Sequence, residues 1–233
     1  MEAAALKILF FDVGGILLTN GWGHESRKQA AEKFGLDYEE VNAMHNFIFN
    51  VYEIGSITLD EYLDTVVFNH PRDFTREDFK EFVYQQSQEL PDTLKWLKEW
   101  KKQECGFRII SINNEGKELN DYRVKKFKLH DFFDAFVSSC EVGMRKPDPG
   151  IFKLAMGIAQ ALPQQCVYFD DRIMFVKAAQ KLGIRSFQHT SFESTKKILE
   201  NLKKEKFESH EQYIKSIRYR HDWPGHHGTQ LTA

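Results

Sequence analysis

The chain has 233 residues, of which 42% are hydrophobic and 28% are charged, and its formal net charge at pH 7 is −2. This length and balance suit a globular protein with a sizeable core, either one large domain or a main domain carrying an insert. The slightly acidic charge argues against a general nucleic-acid-binding protein, which usually has a basic excess.

The apolar N-terminal run from Leu6 to Leu18 has the pattern of neither a signal peptide nor a membrane span. It is short, no basic segment precedes it, and Asp12, Gly14 and Gly15 interrupt it. The chain contains three cysteines, Cys105, Cys140 and Cys166. An odd number without a C-x-x-C pair is typical of a reducing compartment rather than of disulfides or zinc. We therefore expect a cytoplasmic protein with no membrane or nucleic-acid partner.

Five short apolar runs predict the strands of a sheet. They are Ile8–Phe11, Phe107–Ile110, Ala135–Val137, Cys166–Phe169 and Ile184–Phe187. Unbroken apolar runs are typical of parallel strands that are covered on both faces. Helical patterns separate most of these runs, which predicts a doubly wound, Rossmann-like α/β core with a parallel sheet and right-handed crossovers.

Three helices between the strands carry recognisable end signals. Pro91 opens the first and Gly106 closes it. Asp148 and Pro149 have the residue types of an N-cap and a first turn, so they predict the start of the second. The third is expected from about Met174 to Leu182.

Residues 19–88 do not follow the alternation of strands and helices. The stretch is rich in helix formers and aromatic residues, with turn signals at Gly35, Gly55–Ser56 and Asn69–Pro71. It predicts an insert of about four helices, large enough to cover a site on the main domain. We assign residues 1–18 and 89–200 to the core, residues 19–88 to a helical cap, and residues 201–233 to a C-terminal extension that is partly flexible.

Polar residues follow three of the predicted strands, at the end where open α/β sheets bind ligands. Asp12 follows the first strand, Ser111 the second and Asp170 the fourth. Glycines at positions 14 and 15 let backbone N–H groups approach a phosphate and leave a carbonyl free for a metal ion. The pattern therefore predicts one site at this edge of the sheet.

Two further features indicate what the site binds. Pro147 biases Lys146 toward an extended backbone, which places its ammonium outside the following helix and near the charges of the site. The adjacent carboxylates of Asp170 and Asp171 repel each other unless a cation compensates them, and Mg²⁺ is a suitable oxygen-ligated ion. We expect a site for Mg²⁺ and a phosphate group.

Four segments resemble, in the right order, the motifs of the haloacid-dehalogenase (HAD) superfamily. They are FFDVGGIL at 10–17, IIS at 109–111, GMRKPDP at 143–149 and YFDD at 168–171. The predicted helical insert resembles the C1 cap of that superfamily. The resemblance implies a Mg²⁺-dependent phosphohydrolase that acts on a small phosphorylated metabolite through an aspartyl-phosphate on Asp12.

The same resemblance implies the roles of individual residues. Mg²⁺ is held by the carboxylates of Asp12 and Asp170 and the backbone carbonyl of Gly14, with Asp171 in or near the coordination shell. Asp12, Ser111 and Lys146 are the implied catalytic residues. The implied substrate-binding positions are Val13, Gly14, Ser111, Ile112, Asn113 and Lys146.

Gly14 departs from the superfamily pattern, because most of its phosphatases carry a second Asp there as general acid and base. Positioned acid–base groups contribute on the order of 10²–10⁴ in rate, so simple alkyl phosphates should react slowly here. Smaller departures are Ile112 and Phe175, each at a position that is commonly Asn.

Three functions fit this sequence. The favoured one is a phosphatase whose substrate has a good leaving group, such as a sugar 1-phosphate, or whose acid comes from elsewhere. A 2-haloacid dehalogenase also lacks the second Asp, but such enzymes use no metal, which the paired aspartates oppose. The third is a non-catalytic module that binds a phosphorylated ligand. Specificity is expected from the cap, where Trp22, His24 and His45 are candidates, and the sequence indicates no oligomeric state.

Overall fold

The computed structural model describes residues 6–90, 92–103 and 106–221. Pro91, Cys105 and the end of the predicted extension, 222–233, lie outside the described residues. The elements in chain order are β1 (Ile8–Phe11), α1 (His24–Phe34), α2 (Tyr38–Glu53), α3 (Leu59–Val66), α4 (Arg76–Gln85), α5 (Thr93–Lys102), β2 (Arg108–Asn113), α6 (Lys117–Lys126), β3 (Ala135–Ser138), α7 (Ser139–Val142), α8 (Pro149–Ala159), β4 (Cys166–Asp170), α9 (Ile173–Gln180), β5 (Arg185–Gln188) and α10 (Phe192–His221).

The five strands form one parallel sheet in the order β3-β2-β1-β4-β5, which confirms the predicted α/β class. The strand β1 is central, and its side chains alternate between the two faces as the pleat requires. Leu9 and Phe11 pack with α5 and α10 on one face, whereas Ile8 and Phe10 pack with α8 and α9 on the other. Both faces are therefore buried, which explains the unbroken apolar run.

The predicted ends of β2 and β4, which carry site residues, were wrong. Ser111 was expected after its strand but lies within β2, which continues to Asn113 because it pairs there with Ser138 of β3. Likewise Asp170 is the last residue of β4 rather than the first residue beyond it, because it pairs with Gln188. Both side chains nevertheless remain at the carboxyl edge of the sheet.

The helices α1–α4 lie between β1 and β2 and surround an apolar core of their own, which includes Tyr62, Phe79 and Phe82. The chain enters and leaves this insert at one place, because Thr19 and Gln88 are joined by two hydrogen bonds of 2.9 and 3.0 Å. The described helix α10 runs through the boundary predicted at residue 200. Within the described ranges, no helix is both long enough and apolar enough to span a bilayer.

The end signals predicted one core helix correctly. Asp148 caps α8, accepting a hydrogen bond of 2.7 Å from the backbone N–H of Gly150, and Pro149 is the first helical residue. In contrast, α6 was not placed from the sequence. It buries Leu119 together with the polar Asn120 and Arg123, so it has no apolar stripe to reveal it.

Candidate functional site

A buried cluster of charges lies at the carboxyl ends of β1 and β4. The ammonium of Lys146 is 2.9 Å from Oδ1 of Asp12 and 2.7 Å from Oδ2 of Asp170. Lys146 and Asp170 are fully buried, and Asp12 is nearly so. Oδ1 of Asp12 also accepts the backbone N–H of Val13 at 2.8 Å, which fixes the orientation of this carboxyl group. The structure thus brings three sequence-predicted site residues together.

Asp171 gives this cluster an excess of negative charge. One oxygen from each of Asp12, Asp170 and Asp171 lies within 4.8 Å of the others, and Oδ1 of Asp171 is buried without a hydrogen-bond partner. Burial raises the pKa of Asp171, and the neighbouring Asp170 raises it further. Three converging carboxylates, one of which has a buried oxygen without a hydrogen-bond partner, fit the coordination of a hard divalent cation.

The glycine turn after Asp12 is required by close packing. Gly15 has a φ of +71°, and a Cβ atom there would lie 2.3 Å from Oδ2 of Asp171. A side chain at this position would therefore displace a candidate ligand of the metal ion. Gly14 does not have a positive φ, so its backbone conformation does not require glycine.

Burial raises the pKa of Asp12 to about 7, opposed by the nearby ammonium of Lys146 and aided by the Asp170 carboxylate. Burial alone would lower the pKa of Lys146, but the two carboxylates raise it above the ordinary value. The lysine therefore stays charged. One ammonium serves several carboxylates, and a bound cation would supply the missing positive charge.

The end of β2 positions Lys146. The side-chain amide of Asn114 donates to the carbonyl of Lys146 at 3.0 Å and accepts its backbone N–H at 2.8 Å. The hydroxyl of Ser111 is fully buried and donates to Oδ1 of Asn113 at 3.3 Å. Asn114 thus fixes the backbone of Lys146, a role that the sequence assigned to Pro147 alone.

A polar cavity of about 360 Å³ opens above the cluster, between the core and the helices of the insert. The sequence-predicted residues that line it are Asp12, Gly14, Asn113 and Lys146 from the core, and Trp22, His24 and His45 from the insert. Ser111, Asp170 and Asp171 lie behind this lining. The side chains of Val13 and Ile112 are buried in the two apolar cores, so only their backbone groups remain candidates for ligand binding.

Phe175 occupies a position where the resemblance led us to expect Asn. Its ring lines the cavity, and the ring centre lies 5.0 Å from the ammonium of Lys146. A cation over an aromatic face is attracted by the ring quadrupole. Where Asn would offer a side-chain amide, Phe175 therefore makes a cation–π contact with Lys146.

A second buried ion pair, which sequence reasoning missed, lies beside Gly14. Arg123 donates to Oε2 of Glu115 at 2.7 Å, and both side chains line the cavity. A Cβ atom on Gly14 would lie 3.9 Å from Nη1 of Arg123 and 3.0 Å from Oδ1 of Asn20. Burial raises the pKa of Glu115 to about 7, although Arg123 lowers it. The space that an Asp side chain would enter thus adjoins a charged pair.

The insert is held against the core at the C-terminal end of α2. Glu53 forms an ion pair of 2.5 Å with Arg145, the residue before Lys146. The hydroxyl of Ser139 donates to the carbonyl of Glu53 at 2.6 Å. A Cβ atom on Gly55 would lie 2.2 Å from the carbonyl oxygen of Cys140, so the two backbones are in close contact. These contacts close the cavity on one side.

Comparisons with known proteins agree with this geometry. A model of the haloacid dehalogenase-like hydrolase family matches residues 6–183. The phosphorylated carbohydrates phosphatase of Thermotoga maritima is 26% identical over 189 residues, which are 77% of this chain and 82% of the relative. The bifunctional epoxide hydrolase 2 of Sus scrofa is 40% identical over 57 residues, 24% of this chain but 10% of that protein.

One similar solved structure is a HAD family enzyme of Bacteroides thetaiotaomicron in complex with magnesium and inorganic phosphate. It superposes with a TM-score of 0.65 at 23% identity, covering 78% of this chain and 93% of that chain. At this level of identity the likeness establishes the fold.

Proposed function

Because the chain belongs to the haloacid dehalogenase-like hydrolase family, we propose that it is a Mg²⁺-dependent phosphatase of small phosphorylated metabolites. The observation that carries the proposal is the position of Asp12. Its carboxyl group is oriented by the Val13 N–H and Lys146, and it faces a polar cavity next to two further aspartates. That is the arrangement that a carboxylate nucleophile attacking a phosphate requires.

The proposed reaction has two steps. An oxygen of Asp12 attacks phosphorus while the bond to the leaving-group oxygen breaks, which gives an aspartyl-phosphate. Water then attacks phosphorus and releases the Asp12 carboxylate and inorganic phosphate. Lys146 stabilises negative charge on the phosphoryl group throughout. Ser111 acts indirectly, because its hydroxyl donates to the side chain of Asn113, which lines the cavity.

The proposed ligands of Mg²⁺ are the carboxylates of Asp12, Asp170 and Asp171 and the carbonyl of Gly14. Bound Mg²⁺ would neutralise charge on the phosphate and on the aspartates. The support for it is the orphaned Oδ1 of Asp171 and the three converging carboxylates. A dehalogenase would have no use for this excess of carboxylates, which is why the phosphatase is preferred.

Sugar phosphates are the proposed substrate class. Five asparagines line the cavity: the amides of Asn113 and Asn114 are hydrogen-bonded within the core, and Asn20, Asn46 and Asn50 line the cavity from the insert. Amides both donate and accept hydrogen bonds, so they suit the hydroxyl groups of a carbohydrate. The similarity to a phosphorylated carbohydrates phosphatase supports the same class. The free thiols of Cys140 and Cys166 are in keeping with the cytoplasm as the proposed compartment.

The test is a phosphate-release screen over sugar, nucleotide and acyl phosphates, with Mg²⁺ and with EDTA. We expect turnover that requires Mg²⁺ and that Asp12→Asn abolishes, because an amide cannot form the phosphoenzyme. Asp148→Asn is a matched control, since this exposed cap of α8 lies outside the cavity and Asn also caps helices. Full phosphate release in EDTA would refute the Mg²⁺ requirement, and tight binding of phosphate esters without turnover would favour the non-catalytic module.

A further inference from the structure

A chain of hydrogen bonds in the insert ends at the cavity. The indole N–H of Trp22 donates to the Tyr62 hydroxyl at 2.7 Å, and this hydroxyl is 2.8 Å from Nδ1 of His45. Tyr62 is fully buried, and Trp22 and His45 are nearly so. Because an indole nitrogen only donates, the tyrosine oxygen accepts there; among the described residues the other partner of this hydroxyl is His45, so we assign its hydrogen to Nδ1 of His45.

This chain fixes the tautomer of His45. Burial lowers the pKa of His45 to about 3, and the neighbouring Arg27 lowers it further, so the imidazole is neutral. Its Nδ1 accepts from Tyr62, and the ring hydrogen is therefore on Nε2. Among the described residues Nε2 has no hydrogen-bond partner, and this atom is not fully buried. Since His45 lines the cavity, Nε2 presents a donor to it.

Arg27 also lines the cavity, and its charge is unbalanced. It is 7% exposed, and its guanidinium donates to two neutral acceptors, the carbonyl of Trp22 at 3.1 Å and Oδ1 of Asn42 at 3.0 Å. Its Nε is buried without a partner. In the described part of the chain no carboxylate pairs with it, and burial lowers its pKa. A buried cation without a counter-charge is costly, which indicates that an anion completes this site.

Two other arginines that line the cavity differ in this respect. Arg123 is paired with Glu115, and Arg145 is paired with Glu53. Their charges are therefore already balanced within the protein. Arg27 and His45 together present donors only, whereas the asparagines elsewhere in the cavity offer donors and acceptors.

We propose that Arg27 and His45 form a subsite for a second anionic group, carried by the leaving group of the substrate. The chemistry that fits is a carboxylate or a second phosphate on the metabolite. The preferred substrates are then phosphorylated hydroxy or sugar acids, or bisphosphates, rather than phosphate esters of neutral sugars. This inference rests on the proposed phosphatase function and narrows its substrate class.

The test compares a phosphorylated hydroxy acid of three carbons with its methyl ester, which has the same phosphate and nearly the same leaving group. For the wild type we expect kcat/KM to favour the free carboxylate by on the order of 10- to 100-fold, the range of a hydrogen-bonded charged group. Arg27→Met should bring the ratio of the two substrates close to one. His45→Phe, which keeps the ring against Phe49, should lower the ratio several-fold.

Arg76→Met is the matched control, because Arg76 is on α4 and pairs with Asp60 and Asp64 away from the cavity. Its substrate ratio should equal that of the wild type. Should Arg27→Met fail to fold, ¹⁵N chemical shifts of the wild-type histidines provide a second readout. They should show His45 neutral with hydrogen on Nε2, and Tyr62→Phe should change that signature. A protonated His45, or hydrogen on Nδ1, would overturn the proposed subsite.

Calorimetric binding of both compounds to Mg²⁺-loaded Asp12→Asn protein separates the two proposals. Preferential binding of the carboxylate without turnover by the wild type would refute the phosphatase and support the subsite. Turnover of both compounds at equal kcat/KM, or equal binding, would refute the subsite and leave the phosphatase standing.

Discussion

Lys146→Met should destabilise the metal-free protein strongly, and by an amount that depends on pH. The ammonium of Lys146 lies 2.9 Å from Asp12 and 2.7 Å from Asp170, and all three side chains are buried. The methionine side chain fills similar volume, so the change mainly removes charge, including the cation–π contact of the ammonium with Phe175. What remains is a cluster of buried carboxylates without an internal cation.

The expected loss at pH 8 is about 3–5 kcal/mol of unfolding free energy, the usual cost of breaking a buried ion pair from one side. Burial already raises the pKa of Asp12 to about 7, and removing Lys146 raises it further. Asp12 thus has a higher pKa in the folded variant than in the unfolded chain. At every pH between these two values, the folded variant binds more protons than the unfolded chain. Its stability falls as pH rises through that window, so the loss should shrink toward pH 5.

Urea unfolding followed by tryptophan fluorescence, in EDTA from pH 5 to pH 8, measures this effect. Mg²⁺ at about 100 times its Kd adds about 2.7 kcal/mol to a protein that binds it only when folded. Part of the loss should therefore return with Mg²⁺. Lys153→Met, at an exposed position of α8, is the control and should change stability by less than about 0.5 kcal/mol. A loss of under about 1 kcal/mol, or one that is the same at every pH, would refute the electrostatic reasoning.

Further predictions concern three other positions. Gly14→Asp should raise kcat/KM for alkyl phosphates by roughly tenfold relative to aryl phosphates, since it restores an acid beside the leaving group; equal changes for both classes would contradict this. Gly55→Ala should cost about 2 kcal/mol or more in thermal unfolding, because φ is +74° and the new Cβ meets the carbonyl of Cys140. Gly143→Ala, with φ +66° and open space, controls for backbone strain. Glu115→Gln should reduce the fall in stability between pH 5 and pH 8, because the pKa of this carboxyl, raised to about 7, makes the folded wild type retain a proton that the unfolded chain releases. An unchanged pH dependence would mean that Glu115 is ionised throughout.

The sequence by itself determined the fold class and the central part of the candidate site. Apolar runs marked all five strands, and parallel strands place their carboxyl ends at one edge of a sheet. Asp12 and Asp170 were therefore expected at the same edge, and the pairing of β1 with β4 brings them together. Lys146 was assigned to the same place through Pro147 and the motif around it, and the structure locates its ammonium between the two aspartates.

The tertiary structure decided everything that depends on which helix faces meet. The pair Glu115–Arg123 lies beside Gly14 because α6 packs against the entry to the insert, where Arg123 also contacts Thr19 and Ser87. Since α6 has no apolar stripe, no periodicity in the sequence reports this packing. The tautomer of His45 depends in the same way on Tyr62, 17 residues away on another helix. Such contacts follow from the relative rotation and crossing of helices, which side-chain packing sets and a linear pattern does not encode.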